Sequence, residues 1–177
     1  MTNKHLTFAI FGNSFQPRKS QSLMRVLDFL RSKGASIIFD RTFYDFLTAE
    51  QNQELGEVGT FEGDDFNADY VISMGGDGTF LKAAVRVGIK SIPLIGINMG
   101  RLGFLADVLP GEVETALQAV LEGNYNIEEH TAIQISTNGG DFDGCHYALN
   151  DIAVLKRDIA SMIGIHTSID GSFLVNY

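Results

Sequence analysis

Gly75-Gly76-Asp77-Gly78-Thr79 sets one carboxylate among three glycines. Glycines allow a tight turn and let a ligand approach the backbone, and the N–H groups opening a following helix point at any anion placed there. A carboxylate at such a place repels an anionic ligand. It therefore has a task, such as accepting a hydroxyl proton or holding a metal ion, or it merely caps the helix that the spacing predicts from Thr79. Two familiar phosphate-binding patterns do not fit. A Walker loop ends in Gly-Lys-Ser/Thr, which no segment supplies, and a dinucleotide fingerprint through Gly76 and Gly78 needs a third glycine where Leu81 stands.

Two further segments carry candidate chemistry. Asn98–Leu105 (NMGRLGFL) follows an apolar run, and glycines there put an adaptable loop at the carboxyl end of a strand, the usual ligand crevice of parallel sheets. Arg101 could meet a phosphate and Phe104 could stack on a base; the plain alternative is a structural connection with Phe104 in the core. Asn150-Asp151 interrupts the apolar run Ala148–Leu155. Adjacent residues of a strand face opposite sides, and burying such groups without partners is costly. Asp151 could accept both hydroxyls of a ribose diol and Asn150 could bond an adenine edge or ribose, unless the pair marks a bulge or a strand end in water.

The elements that must position these residues follow from apolar periodicity. Buried strands are predicted at Leu6–Phe11, Ala35–Phe39, Asp69–Met74 and Ile92–Ile97. Helices are predicted at Ser20–Lys33, where Leu23, Leu27 and Leu30 share a face ahead of Gly34, at Thr79–Val87, and from Pro110 to Gly123. Thr48–Phe66, rich in Glu, Gln, Asp and Gly, reads as a short helix and a mobile acidic loop. Strands alternating with helices imply a Rossmann-like parallel sheet covered on both faces. Beyond Gly123 the pattern changes to strands alone, at Ala132–Thr137, His146–Leu155 and Met162–Ile169, with Asp170-Gly171 a hairpin turn. The expected architecture is an α/β domain over residues 1–125, followed by the beginning of an all-β domain over 126–177.

Composition bounds the partners. A chain of 177 residues, 45% hydrophobic and 20% charged, can build a real core, and a net charge of −9 argues against nucleic acid. Cys145 is the only cysteine, so no disulfide framework is possible, and the four histidines lack metal-ligand spacing. No run is long enough to span a bilayer, and the expected setting is the cytoplasm, with no membrane partner.

The three segments, in this order and at about this spacing, resemble the NAD kinase family, and the resemblance runs from the first strand to Tyr177. The glycine-rich turn alone is also found in diacylglycerol-type lipid kinases and resembles the phosphofructokinase loop, so a lipid kinase and a non-catalytic NAD-binding module stand as alternatives. The resemblance implies phosphoryl transfer from ATP, or another donor, to the adenosine ribose 2′-hydroxyl of NAD. Mg²⁺ is implied on the donor nucleoside triphosphate, and a homodimer or homotetramer in the full-length protein. It implies Asp77 as general base, Gly78 in the NAD-contacting turn, Lys82 facing ligand phosphate, Phe104 lining the adenine pocket, and Asn150 with Asp151 binding NAD. Many relatives carry Glu where Asp151 stands, which changes reach but not charge, and Arg or His where Ser161 stands. Members of the family continue with a further Asp-Gly turn and the rest of the β domain, so the chain is expected to be a fragment, inactive alone.

Overall fold

Continuous apolar runs such as Phe8–Phe11 stay dry on both faces only in a sheet covered on both sides. The computed structural model describes residues 5–12, 20–100, 103–139, 146–155 and 162–177. Five strands, β1 (Thr7–Gly12), β2 (Ser36–Asp40), β3 (Gly59–Phe61), β4 (Tyr70–Gly75) and β5 (Leu94–Asn98), form one parallel sheet in the order β3-β2-β1-β4-β5. Alternation along β1 divides the core. Phe8 and Ile10 pack with Leu23, Leu27, Val113 and Leu117, contributed by α1 (Ser20–Ser32) and α4 (Val113–Glu122). Ala9 and Phe11 point the other way, with Val71, Ala83 and Val87 under α3 (Asp77–Val87). Arg25 of α1 grips Glu114 in the first turn of α4 through two hydrogen bonds of 2.9 and 2.5 Å.

The element boundaries follow the glycines. α4 stops at Gly123, whose φ of 71° is left-handed and whose N–H returns to Ala119 and Val120. The acidic segment departs from the sequence reading. The short helix α2 (Arg41–Asp45) comes earlier, with Asp40 accepting the Phe43 N–H at 3.2 Å, and a π-helical turn spans Phe46–Glu50. Within the expected loop, Gly59–Phe61 adds β3 to the edge of β2, pairing Gly59 with Ile38. Three residues are too short to display a period, so the strand exists because β2 offers an unsatisfied edge.

Beyond α4 the pairing turns antiparallel. β6 (Ile133–Gln134) pairs with β7 (Tyr147–Ala148), and β8 (His166–Ile169) with β9 (Ser172–Asn176). Asp170 and Gly171 both take positive φ, 50° and 78°, as a two-residue turn between Ile169 and Ser172 requires. The first three strands expected here are shorter than their apolar runs. Few side chains cover them, so the runs have no second layer to hold them extended. Among the described residues no helix is long and apolar enough to cross a membrane.

Arg86, in the last turn of α3, ties the layers together. Its guanidinium donates to Asp40 Oδ1 at 3.1 Å, contacts the Gly63 carbonyl and the Asp64 carboxylate, and lies 5.4 Å from the centre of the Phe11 ring. Removing it strands the mostly buried Asp40 carboxylate without its cation. Arg86→Ala should therefore cost about 2 kcal/mol, the burial being partial. Truncating Arg41, whose pair with Glu62 at 3.5 Å is largely exposed, should change stability by less than about 0.5 kcal/mol. Urea unfolding of both variants checks the contrast; equal effects would mean that the Arg86 cluster carries no special weight.

Candidate functional site

An open parallel sheet offers a crevice where its strand order reverses, beyond the carboxyl ends of the two strands on either side. Here those strands are β1 and β4, which pair in register through Gly12 and Met74. β4 ends at Gly75, Gly76 caps α3 in an extended conformation, and the helix begins at Asp77. Gly75 has no room for a side chain, since a Cβ there would lie 2.2 Å from the Thr79 hydroxyl. Gly76 and Gly78 face open space, and Gly78 is exposed.

Asp77 does not cap the helix that follows it. Its carboxylate reaches across to the chain beyond β5 and accepts three backbone N–H groups: Phe104 on Oδ2 at 2.8 Å, and Leu105 and Ala106 on Oδ1 at 3.0 and 3.2 Å. The Phe104 and Leu105 amides hold the carboxyl below its ordinary range, against a smaller opposing effect of burial, with Ala106 adding to them. The receiving segment is itself anchored. Buried Asn98 donates its side-chain amide to the Ala106 carbonyl at 3.1 Å and accepts the Gly100 N–H at 2.9 Å. Its backbone N–H reaches Val108, which returns a bond to Gly96. Phe104 is not in the core: its ring is 100% exposed. Arg101 lies outside the described residues, as do Cys145 and Ser161.

A cleft of about 540 Å³ opens on another face of α3, lined by Thr79, Lys82 and Arg86 and, opposite them, by Tyr147–Asp151. Lys82 is exposed and makes no hydrogen bond or ion pair among the described residues. It stands five positions after Asp77 on the helix, about 7.5 Å along the axis and roughly 140° around it. The structure thus brings Lys82, Asn150 and Asp151 to one cleft and Asp77 and Phe104 to a neighbouring one-sided contact, with Gly78 in the first turn of α3 between them. Asn150 and Asp151 are not inside a strand: β7 ends at Ala148, both side chains are exposed, and Asn150 donates to Asp151 Oδ1 at 3.2 Å. Of the two readings of this pair, the structure matches the exposed one beyond a strand end, not two polar groups buried on opposite faces. Asp40 and Thr42 also line the cleft, and sequence reasoning missed them. The available signal was Asp40 closing the apolar run Ser36–Phe39, a carboxylate at a strand's carboxyl end. Among the described residues no three His, Cys, Asp or Glu side chains converge so as to hold a metal ion.

Comparisons with known proteins bear on this arrangement. The chain is 46% identical over 172 residues to the NAD kinase of Bacteroides fragilis, covering 97% of this chain and 59% of that protein. It is 34% identical over 169 residues to the NAD kinase of Porphyromonas gingivalis, covering 96% and 58%. The chain therefore spans about three fifths of the length of these relatives. A crystal structure of yeast NADH kinase complexed with NADH superposes with a TM-score of 0.73 at 16% identity, over 99% of this chain and 55% of that one, a likeness of fold. Residues 8–125, which include all of the parallel sheet but Thr7, together with the Asp77 turn and α4, match the family model of the ATP-NAD kinase N-terminal domain. The chain belongs to the ATP-NAD kinase family.

Proposed function

We propose that the protein transfers a phosphoryl group from ATP to the 2′-hydroxyl of the adenosine ribose of NAD. The observation that carries this reading, beside family membership, is Asp77 held at the strand-order reversal with a partly free carboxylate. Each carboxylate oxygen has two acceptor positions. Oδ1 uses both on Leu105 and Ala106, whereas Oδ2 takes only Phe104 and keeps one for a substrate hydroxyl. A ribose hydroxyl is a poor acid and this carboxylate a weakened base, so the proton moves to Oδ2 late, as the new phosphorus–oxygen bond forms.

The other roles follow the same reading. The exposed Phe104 ring offers a face for adenine. Lys82 and the first amides of α3 face ligand phosphate, Gly78 giving it close access. Asn150 and Asp151 hydrogen-bond NAD across the cleft. On the family resemblance Mg²⁺ rides on the donor phosphates, an ion that keeps several waters and needs few protein ligands. Such an ion would neutralise charge on the transferred group. The reading extends, on the family resemblance, to a cytoplasmic homodimer or homotetramer.

The direct test is NADP formation by the full-length protein with ATP, Mg²⁺ and NAD, beside diacylglycerol as acceptor. NAD binding without product would make the site a binding module, and lipid phosphorylation would reassign the acceptor.

Replacing Asp77 by Asn removes the proton acceptor but leaves one oxygen for Leu105 and Ala106. Steady-state kinetics of Asp77→Asn should show kcat lowered on the order of 10²–10⁴-fold, with a much smaller change in KM for NAD. Near-normal turnover would remove Asp77 from the chemistry.

Asp151→Ala deletes a charged acceptor from an exposed, open position, so its effect should fall on binding. NAD affinity measured by calorimetry should drop by about 1.5–3 kcal/mol, with affinity for the donor nearly unchanged. An unaltered NAD isotherm would leave Asp151 with a structural role only.

A further inference from the structure

The segment from Gly103 to Ala106 is tightly packed on both sides. On one side, a Cβ added to Gly96 of β5 would lie 2.7 Å from the Ala106 Cα, 3.0 Å from the Leu105 carbonyl oxygen and 2.9 Å from the Phe80 ring of α3. On the other, the three atoms nearest a Cβ added to Gly103 would all belong to the Asp77 carboxylate: Oδ1 at 2.2 Å, Cγ at 2.5 Å and Oδ2 at 2.6 Å. The Gly103 backbone is outside the left-handed region, so its torsions do not call for glycine. Space does.

We infer that Gly103 is a positioning residue for Asp77: its missing side chain lets the Phe104, Leu105 and Ala106 amides close on the carboxylate and aim the remaining acceptor position of Oδ2. The three N–H groups fix both oxygens, and Asn98 fixes the segment that bears them. A methyl group at position 103 has to push either the carboxylate or these amides aside. Bonds of 2.8–3.2 Å do not survive such a displacement, because a hydrogen bond weakens steeply with distance and angle. The neighbouring strand cannot absorb the shift, since Leu105 and Ala106 already rest against Gly96 without clearance. The steric half of this inference stands on the packing alone. The catalytic half rests on the NAD kinase reading above.

The experiment is a pair of double-variant comparisons on the full-length protein. In the first, thermal unfolding is followed for Gly103→Ala, Asp77→Ala and the double variant. Overpacking predicts a midpoint lower by roughly 5 °C for Gly103→Ala in the parent protein. In the Asp77→Ala background the same change should cost less than about 1 °C, because the colliding atoms are gone. Additive losses, or a double variant that fails to fold, overturn the inference. Gly111→Ala, which meets nothing within 4 Å, is the control and should leave the midpoint unchanged.

In the second comparison, kcat is measured with NAD and ATP. Gly103→Ala should lower it at least about tenfold in the parent, and by less than twofold in Asp77→Asn, where the group it positions has already lost its function. A merely structural glycine would lower both by the same factor, which overturns the positioning role. If the parent protein makes no NADP, the function is misread, and the unfolding comparison still decides whether Gly103 positions Asp77.

Discussion

The pairing of β1 with β4, in register from Phe8 and Tyr70 to Gly12 and Met74, is the contact on which the remaining arrangement depends. These strands are distant in sequence, and their parallel alignment requires the intervening chain to cross over the sheet. Once they are side by side, β2 and β3 can add only on one flank and β4 can recruit β5 only on the other. The reversal of order follows at once, and with it the crevice. Because β4 and β5 end level with each other, at Gly75 and Asn98, the turn carrying Asp77 faces the segment carrying Phe104. The carboxylate and its three amides thus meet across a contact that the sheet has already measured out.

The chemistry imposed on this frame is awkward for an acidic chain. Asp40 and Asp151 line the cleft beside α3, and Asp77 stands at the start of the same helix. Each is compensated differently. Backbone dipoles stabilise Asp77, the Arg86 guanidinium answers Asp40, and Asp151 stays in water beside the Asn150 amide. Backbone donors have an advantage at Asp77: they hold a carboxylate ionised without placing a full positive charge beside its remaining acceptor position.

What the sequence made legible depended on how local the cause was. The β1 run, the α1 face of Leu23, Leu27 and Leu30, and the Asp170-Gly171 turn are decided by residues adjacent in the chain, and they appear within a residue or so of their expected limits. β3 was missed because its cause is the neighbouring edge of β2, not its own three residues. The Asn150-Asp151 strand was overextended because an apolar run alone does not tell an extended segment from an exposed one. At the site, the types of Asp77 and Phe104 pointed toward hydroxyl activation and base stacking, while Lys82 was reached only through the family resemblance. That Asp77 spends most of its acceptor capacity on the protein, and that Gly103 faces it, arises from a contact between residues about a quarter of a hundred positions apart. No spacing rule reaches that far.

The Arg86 cluster also bears on how a ligand arrives. Its positive charge is consumed by Asp40 and Asp64, which leaves exposed Lys82 as the cation on that face of α3 able to greet an anion, against a chain of net charge −9. An anion approaching this face of the 177-residue chain would meet repulsion at long range and attraction only in the last few ångströms. Dissolved salt acts unequally on the two regimes, screening charges beyond about 8 Å at physiological strength while sparing close contacts. Moderate ionic strength would consequently quicken an anion's encounter with this chain, the reverse of its effect on clefts that draw their substrates in by a surplus of like-signed cations.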